Sequence, residues 1–556
     1  MSLSNNFVLQ KNDRVVFLGD SITEQQLYTN YVETYLATRY SELNLTFFNA
    51  GWGGDTAPGG VERLDRDVLA LKPTVVTLCY GMNDGGYTPP TDEIRNRFVN
   101  GMRELVARLK AAHIRVVLLT PGMVDEGASP AMGTVRYNQG GLRVLADEVL
   151  KLAATEQLPV FDLHRLMNEV DAKAKAADPE FCMIPDSVHP DPAGHLVMAF
   201  GLLQALGVPP LQQSIEVDAA AGKAAATPGV VARAKRQRGG TLQLSLKLDR
   251  LPFFVEMAAR KVLPFLPFQE HYNSCSIRFR GLTASRAWLR MGNTGVYSFR
   301  SEDLNTGINF FDQWSSGPMQ IAGALHRFTC EKDQVYFKIW RSLSLNNEKA
   351  GPHHAGAHAS GIRLMPGLER IRKSMLTRTA LSCSMELVAT DKIGIPSGNG
   401  DFIGRWSSVG PFPKPFATDR LGGEAAFTEQ VPAMGSWLPC DLDLSNPGNN
   451  LVQSFGQMND CFVYLATVID SPVAQTAELL VGSDDGIAVW LNGEQYLSQL
   501  EVARGVTVDQ DRMPVSLRAG NNLLLLKVTQ YGGGWGVCAR FAGLSVPVTV
   551  RNLSDR

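Results

Sequence analysis

The sequence predicts an α/β domain, a three-layer arrangement of a parallel sheet between helices, followed by an α+β extension and a jelly-roll-like β-sandwich. Three observations carry this reading. Over residues 1–210, short apolar runs alternate with stretches of helical period. Over 211–393 the two patterns are mixed, and from about Gly394 short strand-like runs follow one another, punctuated by Gly, Pro and Asn with no helical period. A chain of 556 residues also exceeds what one core supports, so several domains are expected.

Val15–Leu18 is a short apolar run closed by Gly19-Asp20, which predicts a buried strand; Tyr28, Tyr31, Val32, Tyr35 and Leu36 then recur at helical spacing. Leu45–Phe48, Thr74–Cys79, Arg115–Leu119 and Pro159–Phe161 read as further strands. Val61–Leu71, Ile94–Leu109 and Leu142–Leu152 read as the helices between them. Such β-α alternation gives a parallel sheet, and ligands of such sheets bind at the carboxyl ends of the strands.

Polar residues cluster at those ends. Ser21 follows the first strand at the start of a helix, where its hydroxyl is held on a tight turn and its N–H is available to donate. After the second strand comes Asn49-Ala50-Gly51-Trp52-Gly53-Gly54-Asp55-Thr56, whose glycines let backbone N–H groups approach a ligand. After the third comes Gly81-Met82-Asn83-Asp84, where the Asn83 amide can donate to an oxyanion. Pro185-Asp186-Ser187-Val188-His189-Pro190 sets a carboxylate three residues from an imidazole, so that Asp186 can fix the ring tautomer and His189 can take the Ser21 proton. Taken singly, each has a structural alternative. Ser21 caps a helix, Gly54 serves a turn, Asn83-Asp84 forms an Asx turn, and Asp186 and His189 are polar loop residues. His195 reads as a packing or helix-surface histidine. Four such loops in order at successive sheet ends favour catalysis.

GDSIT, NAGWGGDT, GMND and DSVHP resemble the four sequence blocks of the SGNH (GDSL-type) hydrolase superfamily, over roughly residues 10–205. The resemblance implies Ser21 as nucleophile, His189 as general base and Asp186 as the third triad member. It also implies an oxyanion hole of the Ser21 N–H, Gly54 and Asn83, an acyl-enzyme mechanism, and no metal or organic cofactor. Trp52 and Tyr87 are the bulky neighbours expected at the substrate.

Pro209-Pro210 closes the first domain, and the basic run Arg233–Arg238 reads as linker or loop. Leu242–Leu248 alternates as a half-buried strand; Ile277–Leu282, Ala287–Met291 and Gly295–Phe299 read as strands, and Met319–Trp340 as largely helical. His353, His354 and His358 lie in a Gly/Ala-rich loop without accompanying carboxylates, which favours a loop over a metal site. Phe462–Ile469, Ala477–Val481, Ile487–Leu491, Leu523–Val528 and Trp535–Phe541 read as sandwich strands. GSDDGIAVWLNGEQ resembles galactose-binding-like and protective-antigen-type modules, which implies a carbohydrate-binding role with calcium at Asp484 and Asp485 as one option, and Tyr531 and Trp535 as stacking or core residues.

A net charge of −2 gives no reason to expect nucleic acid or an acidic membrane as partner. No apolar run suits a membrane span, and the eight cysteines contain no CxxC pair. Met1–Arg14 lacks the apolar core of a signal peptide, which suggests a cytoplasmic protein, or a secreted or periplasmic one whose leader precedes this sequence. The expectation is a serine esterase that removes short acyl groups, foremost acetyl, from carbohydrate. The alternatives are a general short-chain esterase, lipase or thioesterase, and a glycan-binding surface protein with a secondary hydrolase domain.

Overall fold

The computed structural model describes residues 7–128, 136–237, 241–291, 295–312, 317–345, 364–376, 382–390, 395–427, 437–442, 447–456 and 458–553. They form two compact units. The first comprises Met1–Leu211, Ala258–Asn273 and Ala322–Ala380, and the second Gln212–Met257, Ser274–Ile321 and Leu381–Arg556. The stretch 211–393 is therefore shared between the two.

In the first unit, β1 (Arg14–Gly19), β2 (Thr46–Gly51), β3 (Val75–Cys79), β4 (Arg115–Leu119) and β5 (Val160–Phe161) form one sheet in the order β2-β1-β3-β4-β5. Every pairing in it is parallel. Between and after the strands run α1 (Ser21–Glu24), α2 (Leu27–Arg39), α3 (Ala57–Asp67), α4 (Asp92–Ala111), α5 (Arg143–Glu156), α6 (Leu163–Ala177) and α7 (Pro192–Ala205). The strands read as continuous apolar runs because both faces are covered. Val16, Leu18, Val76, Leu78, Val116 and Leu118 share a core with residues of α3, α4 and α5. The tyrosines read at helical spacing all lie buried on α2, which packs with α7.

Two long helices complete this unit: α8 (Gly317–Leu345), from Ala322 onward, and α9 over residues 364–376. Tyr336, Trp340 and Met365 of these helices join the core beneath β1–β4. The helix Phe268–Tyr272 brings Tyr272 edge-on to Tyr35, at 5.4 Å between ring centroids. The helical period of 319–340 is thus realised in α8. The histidine loop 353–358 lies outside the described residues.

The second unit is β-rich. Strands from 212–309 and 382–390 build a four-stranded and a five-stranded sheet; those from 395–551 build an eight-stranded and a three-stranded sheet. Val463, Leu465, Leu524 and Leu526 of the eight-stranded sheet share a core with Leu479, Val481, Val537 and Phe541 of the three-stranded one. These two therefore form a sandwich. The basic run expected as a linker instead enters an edge strand, Val230–Arg236, which pairs with Leu242–Leu248. Alternating Arg and Lys on an edge keep it from pairing with another chain. All eight cysteines are free thiols. Among the described residues, no helix is long and apolar enough to cross a membrane.

Candidate active site

The loops that follow β1, β2 and β3 and the segment before α7 carry the candidate residues. Asp20 caps α1, its Oδ1 accepting from the Ile22 N–H at 3.0 Å, and Ser21 opens that helix. The Ser21 hydroxyl lies 2.9 Å from Nε2 of His189, and the His189 Nδ1–H donates to Asp186 Oδ2 at 2.7 Å. The other Asp186 oxygen accepts from the backbone N–H groups of Val188 and His189, at 3.0 and 2.6 Å. Partial burial raises the Asp186 pKa, but these bonds outweigh it and hold the carboxyl below its ordinary value. The carboxylate is therefore ionised and fixes the ring with its Nε2 lone pair toward Ser21.

Around this chain the loops are braced from behind. Asn49 accepts from the Gly51 N–H at 2.9 Å and donates to the Thr23 carbonyl and the Thr29 hydroxyl, which ties the β2 loop to α1 and α2. A Cβ on Gly51 would meet the Glu24 backbone nitrogen at 2.2 Å, so this contact requires glycine. Gly54 lies at φ +74 with nothing within 4 Å of the Cβ position, leaving its face open to a ligand. The Asn83 amide donates to the Asp55 carbonyl at 2.9 Å and accepts from the Tyr87 hydroxyl at 2.8 Å. Buried Arg63 donates to Asp55, to the Ala50 and Gly19 carbonyls and to the Tyr80 hydroxyl, drawing together the ends of β1 and β2.

Arg63 and Asn49 are site-supporting residues that the sequence reading does not single out. The available signal is a cation on the inward face of α3, beside Gly60, Leu64 and Asp67.

Burial pushes the Asp20 carboxyl up to about 7, against the Ile22 N–H bond and with help from Asp84 and Asp55. Asp84, whose Oδ1 accepts from the Ala57 N–H, is raised by burial to about 7 as well. His195 is fully buried, and burial lowers it to about 3. Its neutral ring donates from Nε2 to Gln25 at 2.7 Å and stacks on Tyr28, so it is a packing histidine. Trp52 is half-buried, with the Arg341 guanidinium 3.3 Å above its ring centroid and Trp340 against its edge. Its indole is thus a packing platform for α8.

In the sandwich, both Asp485 oxygens accept backbone N–H groups, from Arg504 and Tyr531, so this carboxylate organises a turn. Among the described residues, no three His, Cys, Asp or Glu side chains gather as a metal site. Trp535 is a core residue, and the Tyr531 hydroxyl donates to Glu501 at 2.7 Å.

A parallel sheet in this strand order, with GDSIT, NAGWGGDT, GMND and DSVHP around its carboxyl edge, is the architecture of a GDSL/SGNH hydrolase domain. Residues 17–197 match the model of the GDSL-like Lipase/Acylhydrolase family. An acetylxylan esterase of Geobacillus stearothermophilus is 27% identical in an alignment of 217 positions that covers 35% of this chain and 94% of that protein. An isoamyl acetate-hydrolyzing esterase of Saccharomyces cerevisiae is 23% identical in an alignment of 212 positions that covers 35% of this chain and 86% of that protein. The solved structure of a gut microbial diltiazem-metabolizing enzyme shares the fold over 69% of this chain and 100% of its own, with a TM-score of 0.59 and 21% identity. Residues 17–197 thus carry a GDSL/SGNH hydrolase domain, and the protein is a carboxylic ester hydrolase.

Proposed function

We propose that the protein is a serine esterase that removes short acyl groups, foremost acetyl, from carbohydrate, with Ser21 as nucleophile. The observation that carries this reading is the hydrogen-bonded chain from Ser21 Oγ through His189 to Asp186, with steps of 2.9 and 2.7 Å. His189 Nε2 takes the hydroxyl proton as Oγ bonds to the ester carbonyl carbon. The Ser21 and Gly54 N–H groups and the Asn83 amide receive the negative charge that develops on the carbonyl oxygen. Collapse breaks the bond to the alcohol, which leaves with the proton held by His189. Water, deprotonated by the same nitrogen, then releases the acyl group and frees Ser21. Asp186 keeps the imidazole in the tautomer that both half-reactions need.

Acetyl on carbohydrate is favoured because one relative is named an acetylxylan esterase and the GSDDGIAVWLNGEQ stretch after the hydrolase domain resembles glycan-binding modules in sequence. A second reading, a general short-chain esterase, is favoured by the relative named for isoamyl acetate hydrolysis.

Acyl release from a panel of acetylated oligosaccharides and simple alkyl esters separates the two. Faster turnover per acetyl on the oligosaccharides supports the first, whereas equal rates on simple acetates favour the second. Octanoyl esters outpacing acetyl esters would move the reading to lipase or thioesterase. In every case Ser21→Ala is expected to abolish turnover with the fold intact, and near-full activity would overturn the assignment of the site.

A further inference from the structure

We propose that Tyr87 is a positioning residue for Asn83, its hydroxyl orienting and polarising the carboxamide that serves the oxyanion. The inference rests on the reading of Ser21 and Asn83 given above and assigns Tyr87 a role other than lining the substrate. A carboxamide has one oxygen and two N–H donors to place. At Asn83 the oxygen accepts from the Tyr87 hydroxyl at 2.8 Å and one N–H goes to the Asp55 carbonyl at 2.9 Å. Those two bonds fix the amide plane and leave the second N–H for a ligand.

A rotated amide would turn Oδ1 toward the Asp55 carbonyl, two acceptors face to face, and would present the wrong end to an oxyanion. The bond from Tyr87 also draws electron density toward Oδ1, which strengthens the remaining N–H as a donor.

The surrounding loop is built to hold this phenol in place. Tyr87 lies at φ +60, directly after Gly86 at +61. A bulky side chain in that region is strained, and such strain persists where neighbouring contacts over-determine it. The Tyr87 ring lies 5.4 Å from the ring of Tyr137, whose hydroxyl donates to the Gly81 and Met82 carbonyls at 3.1 and 2.8 Å. A Cβ on Gly85 would meet the Tyr137 hydroxyl at 2.5 Å, so the loop closes on that ring only with glycine there. Burial, with smaller help from Asp20 and Asp186, pushes the Tyr87 phenol up to about 12, so it remains a donor at neutral pH.

The test uses the full chain and Tyr87→Phe, which keeps the ring and removes only the hydroxyl. Turnover of 4-nitrophenyl acetate and affinity for a boronic acid, which forms a tetrahedral anionic adduct with a serine hydroxyl, are measured together. Deleting an oxyanion donor outright lowers kcat about 10²–10³-fold, so misorienting one is expected to lower it by about 10-fold. KM should stay within about twofold, as for an interaction made in the transition state. Boronic acid affinity should fall in step with kcat, and the thermal midpoint should hold. In an Asn83→Ala background, Tyr87→Phe should add nothing, because no amide is left to orient.

An unchanged kcat in Tyr87→Phe, a rise in KM alone, or a full additional loss in the Asn83→Ala background would overturn the positioning role. Should Tyr87→Phe lower the melting temperature, the double-variant comparison still decides. The underlying reading fails separately, through a Ser21→Ala enzyme that retains turnover.

Discussion

Asp20, one residue ahead of Ser21, is buried and ionises only near pH 7. An unfolded aspartate ionises near 3.9, so between about pH 4 and 7 the folded protein keeps a proton that the unfolded chain has released. This group's contribution to stability is therefore full below about pH 4, falls as pH rises, and is gone above about 7. Asp84, also raised to about 7, acts in the same direction. Asp20→Asn keeps the acceptor for the Ile22 N–H and removes the ionisation. Its thermal midpoint relative to wild type should rise between pH 5 and pH 8; a gap that stays constant or moves the other way would refute the account.

At this scale the sequence was informative where one distinctive residue ends a strand. The proposed Ser21, Gly54 and Asn83 stand in loops after strands, and the proposed Asp186 and His189 stand together in the segment before α7. Asn49 and Arg63 were not legible in this way, because their work consists of bonds to backbone groups 13–44 residues away or on adjoining helices. Nothing in GSDDG distinguishes a carboxylate that binds an ion from one that caps two N–H groups, and Asp485 does the latter.

Among the elements, α8 and α9 depart furthest from their sequence appearance. The helical period of α8 was legible over 319–340, but nothing in the sequence sets Lys332, Glu369 and Arg372 apart from surface charges. They are instead buried with Glu33 of α2, Lys332 and Arg372 both pairing with Glu33 and with Glu369. Burial alone would raise the Glu33 pKa, but the two cations outweigh it and hold the carboxyl ionised. Asp333, buried beside them, is driven well upward by burial and by Glu33. The Glu33–Lys332 pair spans 299 positions, which no local pattern encodes.

Removing one member of such a cluster strands the rest. Lys332→Met should cost about 3–5 kcal/mol, read as a lowered denaturation midpoint. A loss under about 1 kcal/mol, the range of exposed pairs, would mean the cluster is solvated. Nearer the site, Arg341 pairs with Glu24 of α1 at 3.2 Å and covers the Trp52 ring on the loop that carries Gly54. Arg341→Ala should lower kcat on a small ester about 3- to 10-fold through looser packing of that loop. An unchanged kcat would confine α8 to a stabilising role.

On the scale of the whole molecule, the chain leaves the first unit after Leu211 and returns to it twice, over 258–273 and 322–380. Ending the chain at Leu211 would remove Tyr336, Trp340 and Met365 from the hydrolase core and expose the apolar surface they cover, so that fragment should be insoluble. An end at residue 393 is different. Every described strand pairing of the four- and five-stranded sheets lies before residue 391, and every pairing of the sandwich lies after residue 394. The cut severs no ladder, and all five proposed site residues precede it.

Residues 1–393 should therefore turn over a small soluble acetyl ester within about twofold of the full chain. On the proposed carbohydrate reading, the shortened chain should be slower on an acetylated polysaccharide, because a sandwich that binds the polymer would raise the effective concentration of the site there. Both substrates are measured at equal enzyme concentration, below saturation. Equal losses on both would mean that the sandwich supports the hydrolase domain rather than recruiting substrate. If neither rate changed, the carbohydrate reading would lose the support it takes from the sandwich, and the short-chain esterase reading would stand.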